Sequence, residues 1–80
     1  MSSAILRLPA VVAKRGRRRS THYDDIKKGL CTPPVLLGAR SVGWPEHEID
    51  AINSARIAGK GDDEIRRLVR DMVAARRSAA

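Results

Sequence analysis

The chain has 80 residues, a net charge of +7 at neutral pH, one Tyr, one Trp, no Phe and one Cys. One core of Val, Leu and Ile fits this length; the walls of an enzyme cleft do not, and stacking on single-stranded nucleic acid lacks its aromatic platforms. Cys31 alone makes no internal disulfide, His22 and His47 are too far apart for metal-ligand spacing, and no apolar run is long enough for a spanning helix.

Residues 8–14 read as a short helix. Pro9 suits its first turn, and Leu8, Val11 and Val12 fall on one face. Gly16 ends it as a left-handed cap. Residues 18–28 read as a second helix, stopped by Gly29. Tyr23 and Ile26 form its inward pair, joined by Leu30, and Arg18, Arg19, His22, Asp25 and Lys28 are expected on the solvent side. Two short helices about a glycine turn make a helix-turn-helix pattern. Thr32-Pro33-Pro34 then forces extended chain.

Residues 35–37 and 41–44 read as a hairpin around the loop Gly38-Ala39-Arg40. Val35, Leu37, Val42 and Trp44 are expected on its inner face, with Arg40 at the tip. Pro45 opens a third helix with Glu46 and Glu48 in the first turn, an Ile49, Ile52, Arg56 stripe, and Gly59 and Gly61 at its end. Asp62 is expected to cap a fourth helix over 63–77. There Ile65, Leu68, Val69, Met72 and Val73 repeat at helical spacing, either to pack back on the domain or to form a homodimer seam. Its polar side, with Arg66, Arg67 and Arg70 among acids, reads as balanced. Residues 1–4 and 78–80 read as disordered. No internal repeat is visible.

The architecture expected is therefore mainly α with a small β-hairpin wing. Residues 1–59 form a winged helix-turn-helix and residues 60–80 a C-terminal amphipathic helix. Charge separates these parts. Up to Pro45 nine bases face two acids; from Glu46 onward seven bases meet seven acids. A basic face on one half of a small chain is the footprint of a nucleic-acid binder. In that reading Arg18, Arg19, Ser20, Thr21 and His22 enter the major groove, because recognition-helix amino ends carry such residues. Tyr23 mainly packs, with its hydroxyl near a phosphate. Arg15, Arg17, Lys27 and Lys28 hold the backbone, and Arg40 serves the wing.

The partner is then double-stranded DNA, with an integrase or RNA polymerase as candidate protein partners, and the location cytoplasmic and nucleoid-associated. No membrane, metal, cofactor or catalytic residue is expected. Two rival readings are a small adaptor binding an acidic partner, such as an integrase, through the C-terminal helix, and an RNA-binding protein.

Three segments carry a family resemblance: Leu6-Arg7-Leu8-Pro9-x-Val11, then Arg19-Ser20-Thr21-x-Tyr23-x-x-Ile26-x-x-Gly29, then Pro34-Val35-x-Leu37-Gly38-x-Arg40-x-Val42-Gly43-Trp44. Together they resemble the AlpA-type phage and prophage regulators. The resemblance implies a winged helix-turn-helix related to the MerR and excisionase-like domains, acting as a transcription activator or as an excision factor. It spans Leu6 to about Ala58. Arg17-Arg18 stand where the family often has Leu-Ser, Asp24-Asp25 where Arg-Leu is frequent, and Cys31-Thr32 where Phe-Pro is common.

Overall fold

Backbone punctuation sets the element boundaries. The computed structural model describes residues 4–78. It contains β1 (Ile5–Leu6), α1 (Leu8–Arg15), α2 (Arg19–Lys27), β2 (Val35–Leu36), β3 (Val42–Pro45), α3 (Glu46–Ile57) and α4 (Asp62–Ser78). Pro9 lies in the first turn of α1, where its missing N–H costs no helical bond. Gly16 has φ 66°, and the N–H groups of Gly16 and Arg17 bond back to Ala13 O and Val12 O. This left-handed stop turns the chain directly into α2. The fold is thus mainly α, a helix-turn-helix with a hairpin wing.

β1 adds a strand that the hairpin pattern alone does not contain. The sheet is antiparallel in the order β1-β3-β2, with Ile5 opposite Pro45, Leu6 opposite Trp44, Val35 opposite Gly43 and Leu36 opposite Val42. Glu46 N–H also bonds Ala4 O at 2.8 Å, so the disorder expected at Ala4 is corrected. The expected ends 1–3 and 79–80 lie outside the described residues.

This register corrects the expected inner face. Directly opposed residues share a side, so Leu6, Trp44, Val42 and Leu36 fall together, and Val35, Leu37, Gly43 and Ile5 fall on the other. Gly43 is needed on that outer side: an added Cβ would stand 2.5 Å from Ile5 Cγ2 and 3.0 Å from Leu37 Cδ1. Leu36 shares the side of Trp44 yet stays 82% exposed, because its strand is the sheet edge.

The core comprises Val11, Leu30, Cys31, Trp44, Ile49, Ile52, Ile65 and Val69. Trp44 is fully buried and donates its indole N–H to Thr32 O at 2.9 Å. Burial of each large aliphatic here contributes about 1.5–3 kcal/mol. Burial also raises the Cys31 thiol pKa, which keeps it a neutral, apolar filler.

α4 packs against α3 and brings Ile65 and Val69 into that core. Ile65 N–H bonds Gly61 O, so Asp62 is already helical rather than the expected cap. Glu48, expected as a first-turn dipole complement, is fully buried. Arg76 answers it with two bonds, Nε to Oε2 at 2.8 Å and Nη2 to Oε1 at 2.6 Å, and also donates from Nη2 to Pro33 O at 2.8 Å. This fork-on-carboxylate pair fixes α4 to α3 and to the Pro33 loop.

Candidate nucleic-acid interface

α2 presents an open amino end. Arg18 is its N-cap residue and makes no side-chain cap bond. The first-turn N–H groups therefore gain no partner from the cap side chain, and the helix dipole adds positive potential. Arg18, Arg19 and Ser20 are exposed there, Thr21 is half-buried, and Lys27 is exposed one face-length further on. Lys27 has no ion-pair partner among the described residues. Lys28 is exposed but bound to Asp24 at 2.8 Å, an exchange that raises the lysine pKa and lowers that of the carboxyl. Arg40 is exposed in the loop 38–40, closed by Leu37 N–H on Ser41 O.

The inner side of α2 corrects three placements. His22, expected to face solvent or the groove, has no exposed surface and stands edge-to-face with Trp44 at 4.9 Å between centroids. Asp25, expected on the solvent side, is 5% exposed. Arg15, expected on the DNA backbone, is turned inward: Nη2 lies 2.9 Å from Asp25 Oδ2, and Nη1 lies 2.9 Å from His22 Nδ1. Arg17 Nε adds a second contact to Asp25 Oδ2 at 3.3 Å and is only partly exposed. Tyr23 is half-buried, its ring 5.4 Å from His22 and 6.4 Å from Trp44. The physical reason is mutual: the carboxylate needs a cation once buried, and the arginine side chain reaches it from α1 across the Gly16 turn.

An arginine donating to Nδ1 requires that nitrogen to be an acceptor, so the His22 proton sits on Nε2 and the ring is neutral. Burial, and then the Arg15 charge, push its pKa down to about 4 against the opposing pull of Asp25. The unfolded ring titrates near 6.5, so between pH 4 and 6.5 the unfolded chain binds more protons and stability rises with pH. The contribution is whole above about pH 6.5 and is lost as pH falls towards the folded value. Its size is on the order of 3 kcal/mol. Urea unfolding at pH 7 and pH 4 should show that loss, reduced by most of this amount in His22→Gln. An identical pH dependence in the variant would assign it to the carboxylates instead.

A family model described as prophage CP4-57 regulatory protein (AlpA) matches residues 4–57. The DNA-binding transcriptional activator AlpA of Escherichia coli K12 is 47% identical over 58 residues, covering 65% of this chain and 83% of that protein. The chain belongs to the AlpA family of prophage regulatory proteins.

A second relative, the uncharacterized protein ORF88 of Enterobacteria phage P4, is 44% identical over 55 residues, 69% of this chain. The alignment spans 62% of that phage protein's length. No solved structure matches the chain. The AlpA match ends at Ile57, the last residue of α3, so α4 lies beyond it. No helix among the described residues is long and apolar enough to cross a membrane.

Hydrophobic periodicity misses the Arg15–His22–Asp25 network, because a pattern search scores polar residues as outward. A weak signal exists: His22, Asp25 and Ile26 fall at i, i+3 and i+4, the spacing of a buried stripe. Asp25 is thereby a buried carboxylate held under two arginines.

Proposed function

We propose that this AlpA-family protein is a sequence-specific double-stranded DNA-binding regulator of a phage or mobile element. The carrying observation is the exposed Arg18-Arg19-Ser20 triplet at the open amino end of α2, with that helix anchored on its other side through His22 and Asp25. The E. coli relative, a DNA-binding transcriptional activator, supports the same reading. In it α2 lies in the major groove, Arg19 and Ser20 meet base edges, Arg18 and Lys27 hold phosphates, and the hairpin tip with Arg40 follows the backbone as a wing. Arg17 and Lys28 contribute less, since each already faces a carboxylate, and Arg15 and His22 support the helix from behind. The DNA unit is residues 1–59, with 60–80 as a C-terminal helix packed against it. The location is cytoplasmic, on the nucleoid, and no catalytic step is assigned.

Both outputs, transcription and excision, use the same groove contacts and differ in the protein partner, an RNA polymerase or an integrase. One small module binds weakly, so repeated sites or paired copies are expected.

The test is titration against random duplex and against DNA upstream of the protein's own gene at several salt concentrations. A preference of about a thousandfold for the upstream DNA, with a salt slope of several units, is expected. Arg19→Ala should cost about 1–3 kcal/mol on the specific site and relax specificity. Lys27→Ala should weaken all sequences alike and lower the salt slope by about one. Equal weak binding to both duplexes would remove the regulator reading, and equal losses on both duplexes in Arg19→Ala would remove base readout by Arg19.

A further inference from the structure

α4 distributes its charge unevenly. Asp62, Asp63 and Glu64 crowd the first turn, and beyond them Asp71 is the only acid. Arg67, Arg70 and Arg77 are all exposed, and with Ala74 their spacing of three and four residues sets them in one stripe. None of the three has an ion-pair partner among the described residues. Arg66 and Arg76 point elsewhere, to Lys28 O and Asp63 and to Glu48 and Pro33 O. The polar side expected to be balanced thus carries a basic stripe, because three of the four acids of α4 crowd its first turn.

Beside this stripe lies an open groove of about 490 Å³, lined by Pro33, Val69, Val73 and Ala74 together with Arg70 and Arg77. Its two walls are held in place: the same Arg76 that buries Glu48 also bonds Pro33 O. We propose that the groove receives an acidic amphipathic helix of a partner protein, its carboxylates on Arg70 and Arg77 and its aliphatic side chains against Val69, Val73 and Pro33. This goes beyond the DNA reading and does not depend on it.

Charge selects the occupant. A second copy related by a two-fold axis would set the same arginine stripe against itself, between two chains each carrying +7. A DNA backbone offers phosphates to the arginines but no aliphatic surface for the valines. An acidic amphipathic helix matches both halves of the surface. Five of the six residues that line the groove lie on α4, outside the matched family segment.

The test is an NMR titration of the full chain with a synthetic helical peptide carrying Leu at i, i+3, i+4 and i+7 flanked by Glu. Shifts confined to Val69, Arg70, Val73, Ala74 and Arg77 and their neighbours are expected, saturating below about 1 mM and weakening with salt. A peptide with Gln in place of Glu should bind at least roughly fivefold more weakly to the unmodified protein, a comparison that needs no variant to fold. Arg70→Glu/Arg77→Glu, both exposed positions, should weaken the Glu peptide by about tenfold and leave duplex binding unchanged. Absence of saturation, or equal binding of the Gln peptide, overturns the proposal. So does a loss of random-duplex binding in the double variant, which makes the stripe a phosphate contact, or micromolar self-association that the double variant abolishes.

Discussion

Replacing Arg76 by Met is expected to destabilise the protein by about 3–5 kcal/mol, enough to unfold much of it. Glu48 has no exposed surface, and among the described residues Arg76 supplies both of its side-chain hydrogen bonds. Without the guanidinium, the carboxylate stays buried and unpaired, which costs far more than the pair itself contributes. The same change frees Pro33 O and loosens α4 from the loop that it holds. In a domain of this size the thermal midpoint should fall by roughly 15–30 °C. The companion Glu48→Met/Arg76→Met should recover most of the loss, because it removes the buried charge with its partner. Thermal unfolding of the two variants decides the matter. If Arg76→Met alone melts like the unmodified protein, the pair is not sealed from water and α4 is held by Ile65 and Val69 only.

Arg15→Met is expected to cost about 2–4 kcal/mol of stability while leaving the intrinsic DNA affinity of the folded chain nearly intact. The Arg15 side chain is 2% exposed and serves Asp25 and His22 together. Its loss leaves Asp25 with Arg17 alone at 3.3 Å, and leaves His22 Nδ1 without that donor. The partial rescue by Arg17 is why the effect falls below that of Arg76. Arg19→Ala should behave in the opposite way, weakening binding with stability unchanged. Urea unfolding beside duplex titration separates the two. An Arg15→Met chain of normal stability that loses DNA affinity would return Arg15 to the backbone-contact role its charge first indicates.

Both variants probe what local pattern does not contain. Pro9, Gly16, Gly29 and Pro45 act within a few residues, so helix starts and stops were legible to within a residue or two. The hairpin loop 38–40 was legible for the same reason. Its inner face was not: β1 supplies the partner of Trp44, and the register puts Leu37 over Gly43 on the outer side. The charge asymmetry placed the candidate interface in the first half of the chain. It did not separate Arg18 and Arg19, which are exposed, from Arg15, which neutralises Asp25.

The sequence by itself determined the order of the four helices and the hairpin, the helix-turn-helix with its wing, the family, and the half of the chain that carries net positive charge. These depend on short spacings and on sums, which a linear string contains in full. Only the tertiary structure decided which polar residues are buried. Asp25 and His22 go inward because Arg15 reaches them across a turn. Glu48 goes inward because Arg76, 28 residues later, meets it with two hydrogen bonds. A charge can be buried only where its partner arrives, and the place of arrival is a property of the folded chain.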